Sequence, residues 1–429
     1  MIVLISIIYI CISIIYMYNE YKKHFITPLF MFLVMQLIMF IGIMIRCNND
    51  NMHHIQLLLM YLIALVGIII GAHANVKYVQ GIDAVNLNTD ISHNQTIKIA
   101  FWAVFSIIIC SIFFRNVGFN AFSVLLRGGV NTDVSELRRS INYTSGSGIV
   151  YQFRVFILPI LMLILISSTN KRYRITGIIL APLCVLYLLG SGQRGGLVTV
   201  MLMYLVVFLY RNREIKREGI DKKTYQGIRK SKRLIILGLL LAGVAFGALT
   251  IGNQRINAAG SLTNAIIGRI MVDNQGCALF GFENLVCREP LSYGYDWLMM
   301  TLELIPGVKT GYIATANRIF AMKYGSLKGT SPLCIWGSTY YNFGWPGIIL
   351  LSILIGYLYS YVGRKTNQKV FSTVELVIYS ELVVVMGTWI AEGPYYLVNN
   401  GGLATILLYW ILIRSPLHLS IGSKRRGRI

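Results

Sequence analysis

Arg194 stands in Leu189-Gly190-Ser191-Gly192-Gln193-Arg194-Gly195-Gly196, a polar turn between two apolar runs. A charge at the edge of hydrocarbon is costly to hold there and marks a functional position by default. Glycines on both sides let backbone N–H groups come close to a ligand, and successive N–H groups form a concavity for anions. Read without function, Arg194 is a side chain reaching toward headgroups from an ordinary turn. Further arginines lie in two long polar segments, residues 115–149 and 253–339. The first holds Arg115, Arg127, Arg138 and Arg139. The second holds Arg255, Arg269, Arg288, Lys309, Arg318, Lys323 and Lys328 against Asp273, Glu283, Glu289, Asp296 and Glu303. The planar guanidinium fork matches phosphate oxygens two at a time, so a phosphate-bearing substrate is the chemistry these side chains suit. Their bland alternative is pairing with the acids of the same segment or with lipid headgroups. Arg154, just inside an apolar run, is placed to face the same cavity. Carboxylates are scarcer: Glu375 and Glu381 fall within a late apolar run, and Glu392 ends it in Ala391-Glu392-Gly393-Pro394-Tyr395-Tyr396. A carboxylate so placed either pairs with a base or moves a proton. Glu381 suits proton-coupled transport, and Glu392 suits an external active site.

These residues need elements to hold them, and composition says which. Of 429 residues 55% are apolar and only 13% charged, with a mean hydropathy of +0.63. A soluble domain carries roughly 25% charged residues. The apolar runs are long enough to cross the bilayer as helix, which takes about 20 residues. They lack the alternation of barrel strands. The fold class expected is therefore all-α, a polytopic integral membrane protein with about 11 (10–12) transmembrane helices. Spans are expected near 2–18, 27–45, 55–72, 97–114, 150–168, 175–190, 196–210, 234–252, 340–362, 372–390 and 397–413. The first has no basic region before it and no small-residue cleavage site, and is expected to be retained. Residues 1–252 thus hold eight helices with a loop at about 115–149, residues 253–339 a large external loop, and residues 340–429 the last three helices and a basic tail.

The net charge of +22 follows topology. Ten basic and three acidic residues lie between positions 211 and 233, and five basic residues lie from 414 to 429. Basic clusters beside apolar spans are cytoplasmic anchors, so no nucleic-acid partner is expected. With an external N-terminus, every inside segment but 74–96 shows this bias, and the C-terminus lies in the cytoplasm. The two Arg-bearing segments then fall outside, against the usual depletion. Connections longer than about 15 residues are usually functional. Within the second, residues 291–304 are apolar enough to lie along the membrane face, with Tyr295 and Trp297 suited to the interface. The seven cysteines show no CxxC and no zinc spacing, so no metal is expected; Cys277 and Cys287 share the external loop and could pair. No inverted repeat of the kind common in transporters is visible.

Helices of this number with one large external loop before the last few spans resemble the O-antigen and capsule polysaccharide polymerases, the Wzy-type oligosaccharide repeat-unit polymerases. Gly190-Ser191-Gly192-Gln193-Arg194-Gly195 is similar to that family's Gly/Ser-Arg-Gly turn. Gly337-Ser338-Thr339-Tyr340-Tyr341-Asn342-Phe343-Gly344-Trp345-Pro346-Gly347 resembles its lead into a late helix, shortly after Glu303-Leu304-Ile305-Pro306. The Arg318 and Gly329 spacing fits an Arg-x10-Gly motif of some members, but a match of this kind is expected by chance. The resemblance implies transfer of a glycan from undecaprenyl diphosphate to a sugar hydroxyl of another lipid-linked repeat unit, at the outer face of the bacterial cytoplasmic membrane. No cofactor is implied. The implied partners are the undecaprenyl-diphosphate-linked oligosaccharide, membrane lipids, a chain-length regulator and a flippase. On this reading Arg194, Arg255, Arg269, Arg318 and Arg154 face the diphosphate, and Asp273 or Glu392 is the base. A lipid-linked oligosaccharide flippase or other transporter is the alternative, kept open by Glu381. The related ligases are expected to use a His in the large loop, and the six His, at 24, 53, 54, 73, 93 and 418, all lie elsewhere.

Overall fold

A computed structural model of the chain describes residues 1–74, 91–118, 146–190, 195–218, 274–305, 307–327, 329–367 and 371–415. Among them there is no strand beyond an isolated antiparallel bridge between Cys334 and Ala391. The helices in chain order are α1 (Ile2–His24), α2 (Pro28–Arg46), α3 (Met52–Ala74), α4 (His93–Val117), α5 (Ser147–Ser167), α6 (Lys171–Gly190) and α7 (Gly195–Glu218). After them come α8 (Asn274–Gly281), which continues as a π-helical turn over Phe282–Val286, α9 (Tyr295–Leu302) and α10 (Thr315–Tyr324). The last three are α11 (Ile335–Asn367), α12 (Thr373–Gly387) and α13 (Tyr395–Arg414).

Eight of these, α1–α6, α11 and α13, are long and apolar enough to cross a membrane, as a multi-pass membrane protein requires. Two other expected spans fall on shorter helices. The apolar part of α7, Gly195–Arg211, and the 15-residue α12 both stop short of the ~20 residues a straight crossing takes. The expected span at 234–252 lies outside the described residues. The chain divides into two compact units. One comprises α1–α3, the stretch from α8 through α11, and residues 383–400; the other comprises α4–α7, residues 371–382 and residues 401–415.

In the first unit, α2 starts cleanly because the Thr27 hydroxyl accepts from the Phe30 N–H (3.1 Å) and Pro28 needs no donor. The closest approach is between α3 and α11. A Cβ at Gly71 would fall 2.0 Å from the Ile353 carbonyl oxygen, and one at Gly356 would fall 2.1 Å from that of Ile68. Gly67 and Gly71 on one helix, facing Ser352 and Gly356 on the other, form two small-x-x-x-small stripes. Such stripes let backbones meet where lipid offers no hydrophobic incentive. Arg364 then donates to the Ala72 carbonyl (2.9 Å), satisfying the C-terminal end of α3. The core beside this contact holds Trp336, whose indole N–H reaches Gln36 Oε1 (3.0 Å), and Tyr9 stacked on Phe40.

In the second unit, α4 begins with a reciprocal Ser92–Gln95 capping box. Its Lys98 ammonium is buried and donates to the carbonyls of Ile411 (2.9 Å) and Ser415 (3.1 Å), the negative end of α13. The π turn at Phe153–Ile157 precedes Pro159, which has no N–H to offer the ladder.

Candidate active site

The stretch from α8 to α11 belongs to the first unit, and the kink in α11 organises it. Gly344 has φ 63° and ψ −156°, which breaks the helix just after Asn342 and Phe343. Only glycine takes that conformation without steric cost. Asn342 is fully buried. Its Oδ1 accepts from the Ser292 hydroxyl (2.7 Å) and the Trp297 N–H (3.4 Å), while its amide donates to the Ser338 carbonyl (2.9 Å). Trp297 adds an indole N–H to Ser338 Oγ (3.0 Å) and sets its ring edge-on to Phe343. The start of α9 is thereby fixed against α11, with Gly294 at φ 85° where a Cβ would strike the Phe343 ring.

Fixing α9 sets the direction of Asp296. This carboxylate is 1% exposed, and its Oδ1 accepts from the Tyr312 hydroxyl (2.9 Å), the Thr315 hydroxyl (2.6 Å) and the Thr315 N–H (3.4 Å). Burial and the neighbouring Asp296 charge push the Tyr312 phenol well up, so it remains a donor. One turn further along α10 is Arg318, on the same helix face as Thr315. Arg318 forms an ion pair with Glu289 Oε1 and donates to the Tyr341 hydroxyl (3.4 Å), which in turn donates to Glu289 Oε2 (3.0 Å). Burial works against the Arg318 charge, but the hydrogen bonds to Glu289 and Tyr341 outweigh it and raise its pKa. The pair is about one-third exposed, so guanidinium donors remain open to a further anion.

Glu392 completes the group from the connection between α12 and α13. Residues 390–392 lie along residues 333–335: Ile335 N–H donates to Ile390 O (3.0 Å), and Glu392 N–H donates to Leu333 O (3.3 Å). That pairing holds Glu392 at φ 53°, in the left-handed region that side chains other than Gly, Asn and Asp rarely adopt. A residue held this way costs on the order of 1–3 kcal/mol and persists where the surroundings over-determine it, most often at functional sites. The Glu392 side chain is 8% exposed. Oε2 accepts from the Tyr395 hydroxyl (2.5 Å), and Oε1 has no hydrogen-bond partner. Burial raises its pKa from 4.5 to about 7, with the Asp296 charge adding to the rise and the Tyr395 hydrogen bond opposing it. A carboxylate with a free oxygen and a pKa near neutrality is suited to taking and returning a proton.

The expected site residues divide as follows. Glu392 and Arg318 both belong to the first unit; the Asp296 charge acts on Glu392, and Asp296 is bonded to Thr315 of α10, the helix that carries Arg318. Arg154 belongs to the second unit, where it is buried in the π turn of α5 with its guanidinium over the Tyr151 ring at 5.5 Å. Arg194, Arg255, Arg269 and Asp273 lie outside the described residues. Glu381, also in the second unit, is fully buried beside Thr405, yet neither of its oxygens is hydrogen-bonded; the Thr405 hydroxyl donates to Gly401 O instead (2.8 Å). Cys277, within α8, and Cys287, just past the π turn, expected as a possible pair, are free thiols ten residues apart along the continuous α8–π helix. Ten residues of helix rise about 15 Å, beyond the ~7 Å that a disulfide can span between Cα atoms. Sequence reasoning missed Asp296, Tyr312 and Tyr395. The signal for Asp296 was a single acid inside an otherwise apolar stretch, at 291–302. No family model, curated protein or solved structure matches this chain.

Proposed function

We propose that the chain is a membrane glycosyltransferase that polymerises undecaprenyl-diphosphate-linked oligosaccharide repeat units into O-antigen or capsular polysaccharide on the external face of the bacterial cytoplasmic membrane. The observation that carries this reading is the Glu392 carboxylate, buried and strained, with one oxygen unpartnered and Asp296 beside it. The motif resemblance and the arginine-rich loop support it. On this reading the full topology has about eleven spans, and residues 253–339 face outward.

The reaction follows from these groups. The acceptor sugar hydroxyl attacks the anomeric carbon of the donor glycan. Its proton passes to Glu392 Oε1 as the new C–O bond forms. The bond from the anomeric carbon to the diphosphate breaks, and undecaprenyl diphosphate leaves with the electron pair. Tyr395 occupies the second oxygen of Glu392, which leaves Oε1 as the oxygen to take the proton. Charge building on the diphosphate needs fixed cations where it appears. We assign this role to Arg318, whose pair with Glu289 is partly exposed, with Arg255 and Arg269 as further candidates and Asp273 as an alternative base. A chain-length regulator and a flippase are the partners such an enzyme needs.

A flippase is the second reading, favoured by one observation: the fully buried, unbonded Glu381 resembles a proton-carrying group in a transporter. Deletion of the gene in the native host separates the two. Polymerisation predicts that the polysaccharide ladder collapses to a single repeat unit on the surface. Loss of every repeat unit from the surface, with lipid-linked material retained on the inner leaflet, would support transport instead.

A further inference from the structure

We infer that the first unit carries a saccharide-binding pocket between the start of α3 and the end of the α8–π helix, and that it seats the glycan of one lipid-linked substrate. This rests on the polymerase reading and gives it a sugar subsite. The pocket has a volume of about 290 Å³ and is lined by His53, Gln56, Cys287, Glu289, Pro290 and Tyr340. That is the low end of small-ligand sites, the scale of one or two sugar rings rather than of a long chain.

Its chemistry selects a neutral, hydroxyl-rich ligand. The side chains of His53 and Gln56 make no hydrogen bond to a described residue, and between them they offer donors and acceptors. Both Glu289 oxygens are engaged, by Arg318 and Tyr341, yet each keeps a lone pair for a further donor. No lysine or arginine is among the lining residues, so a diphosphate has nothing there to neutralise it and would meet the Glu289 charge. Tyr340, held between Phe282 (6.1 Å) and Trp345 (5.6 Å), supplies a rigid apolar ring against which the C–H face of a sugar can lie. Hydroxyl partners around a fixed aromatic ring are what a pyranose requires.

The pocket is also connected to the candidate active site. Glu289 lines it and holds Arg318. Tyr340 lines it, while the next residue, Tyr341, bonds Glu289, and the one after, Asn342, anchors α9 and hence Asp296. A sugar bound there would lie against Glu289, the carboxylate that also holds the Arg318 cation. A glycan and its diphosphate would be read by adjacent groups of opposite preference.

The test uses the full-length protein in nanodiscs and the soluble repeat-unit oligosaccharide released by mild acid from the host's own lipid-linked glycan. Saturation-transfer NMR should show binding to the unaltered protein. The signal should fall at least several-fold in Gln56→Ala, a partly exposed position with little bearing on folding. Alkylation of Cys287 with N-ethylmaleimide should also remove it, whereas the same reagent should leave the signal intact in Cys287→Ser. Absence of binding to the unaltered protein would overturn the pocket, as would binding unchanged by both Gln56→Ala and alkylation. Either result, combined with a ladder that collapses on gene deletion, would remove the pocket and leave the polymerase reading standing. A ladder that survives deletion would remove that reading whatever the NMR result.

Discussion

Asp296 and Glu392 come from elements far apart in the chain, yet the Asp296 charge reaches Glu392 and adds to the effect of burial in holding it toward its protonated form. Their surroundings differ. Asp296 is met by two hydroxyls and an N–H, whereas Glu392 has one hydroxyl on Oε2 and nothing on Oε1. Two neighbouring carboxylates in unequal environments are a common way to separate a fixed charge from a proton carrier.

If Glu392 accepts the acceptor's proton, it must be ionised to act. The rate of glycan extension should therefore fall as the pH is lowered through about 7. Asp296→Asn removes a charge that raises the Glu392 pKa, so this limb should move to lower pH. A profile measured on both proteins that shows no displacement would separate the two residues functionally.

Replacing Glu392 should cost activity and raise stability. Glu392→Gln should slow extension by about 100-fold or more, the range expected for a lost general base. A carboxyl whose folded pKa is raised favours folding below its unfolded value of 4.5, and that contribution is lost as the pH climbs through about 7. A shift of this size corresponds to roughly 3 kcal/mol. The glutamine variant, which never ionises, should melt higher than the parent protein at pH 8 and lose that advantage toward pH 4.5. Equal melting temperatures at pH 8 would argue against a buried, ionising Glu392.

Arg318→Ala should do the reverse. Its pair with Glu289 is about one-third exposed, and such pairs contribute at most about 1 kcal/mol, so the melting temperature should change little. A lost charge-assisted contact to the diphosphate should lower extension about 10- to 100-fold. An activity loss matched by an equal loss of stability would reduce Arg318 to a structural role.

The helix spans were legible because an apolar run in lipid has few choices: its backbone must bond within itself. Each expected span among the described residues coincides with a helix. The candidate site was legible only in part. Glu392 could be picked out from a carboxylate closing an apolar run, and the Asn342-Phe343-Gly344 motif from its resemblance to the polymerases' lead into a late helix. Asp296 was hidden in a stretch read as an interfacial segment, because its burial depends on Tyr312 and Thr315 from a separate helix. Its effect on Glu392 is purely tertiary, and no spacing in the sequence encodes it. Within residues 291–304, Tyr293, Tyr295 and Leu298 are exposed while Asp296 is buried, and Trp297, expected at the interface, packs instead against Ser338 and Phe343.

Gly71→Ala should destabilise the protein sharply, because the added Cβ would sit 2.0 Å from a backbone oxygen of α11 and only movement of a whole helix relieves that. Gly148→Ala in α5, where a Cβ meets nothing within 4 Å, is the matched control and should be near neutral. Size-exclusion profiles and melting temperatures in detergent compare the two. An unperturbed Gly71→Ala protein would contradict the close α3–α11 contact.

Glu381→Gln distinguishes the two functional readings. Under the polymerase account it removes only an unpartnered buried carboxyl, and the polysaccharide ladder should persist in cells carrying it. Loss of all surface repeat units in this variant would favour proton-coupled transport.

The central claim is the transfer reaction itself, and purified protein tests it most directly. Reconstituted in liposomes with the host's undecaprenyl-diphosphate-linked repeat unit, the protein should form lipid-linked glycans of two and more repeat units. One undecaprenyl diphosphate should be released for each bond made, and Glu392→Gln should block both. Repeat units that cross the bilayer without growing longer would contradict the account.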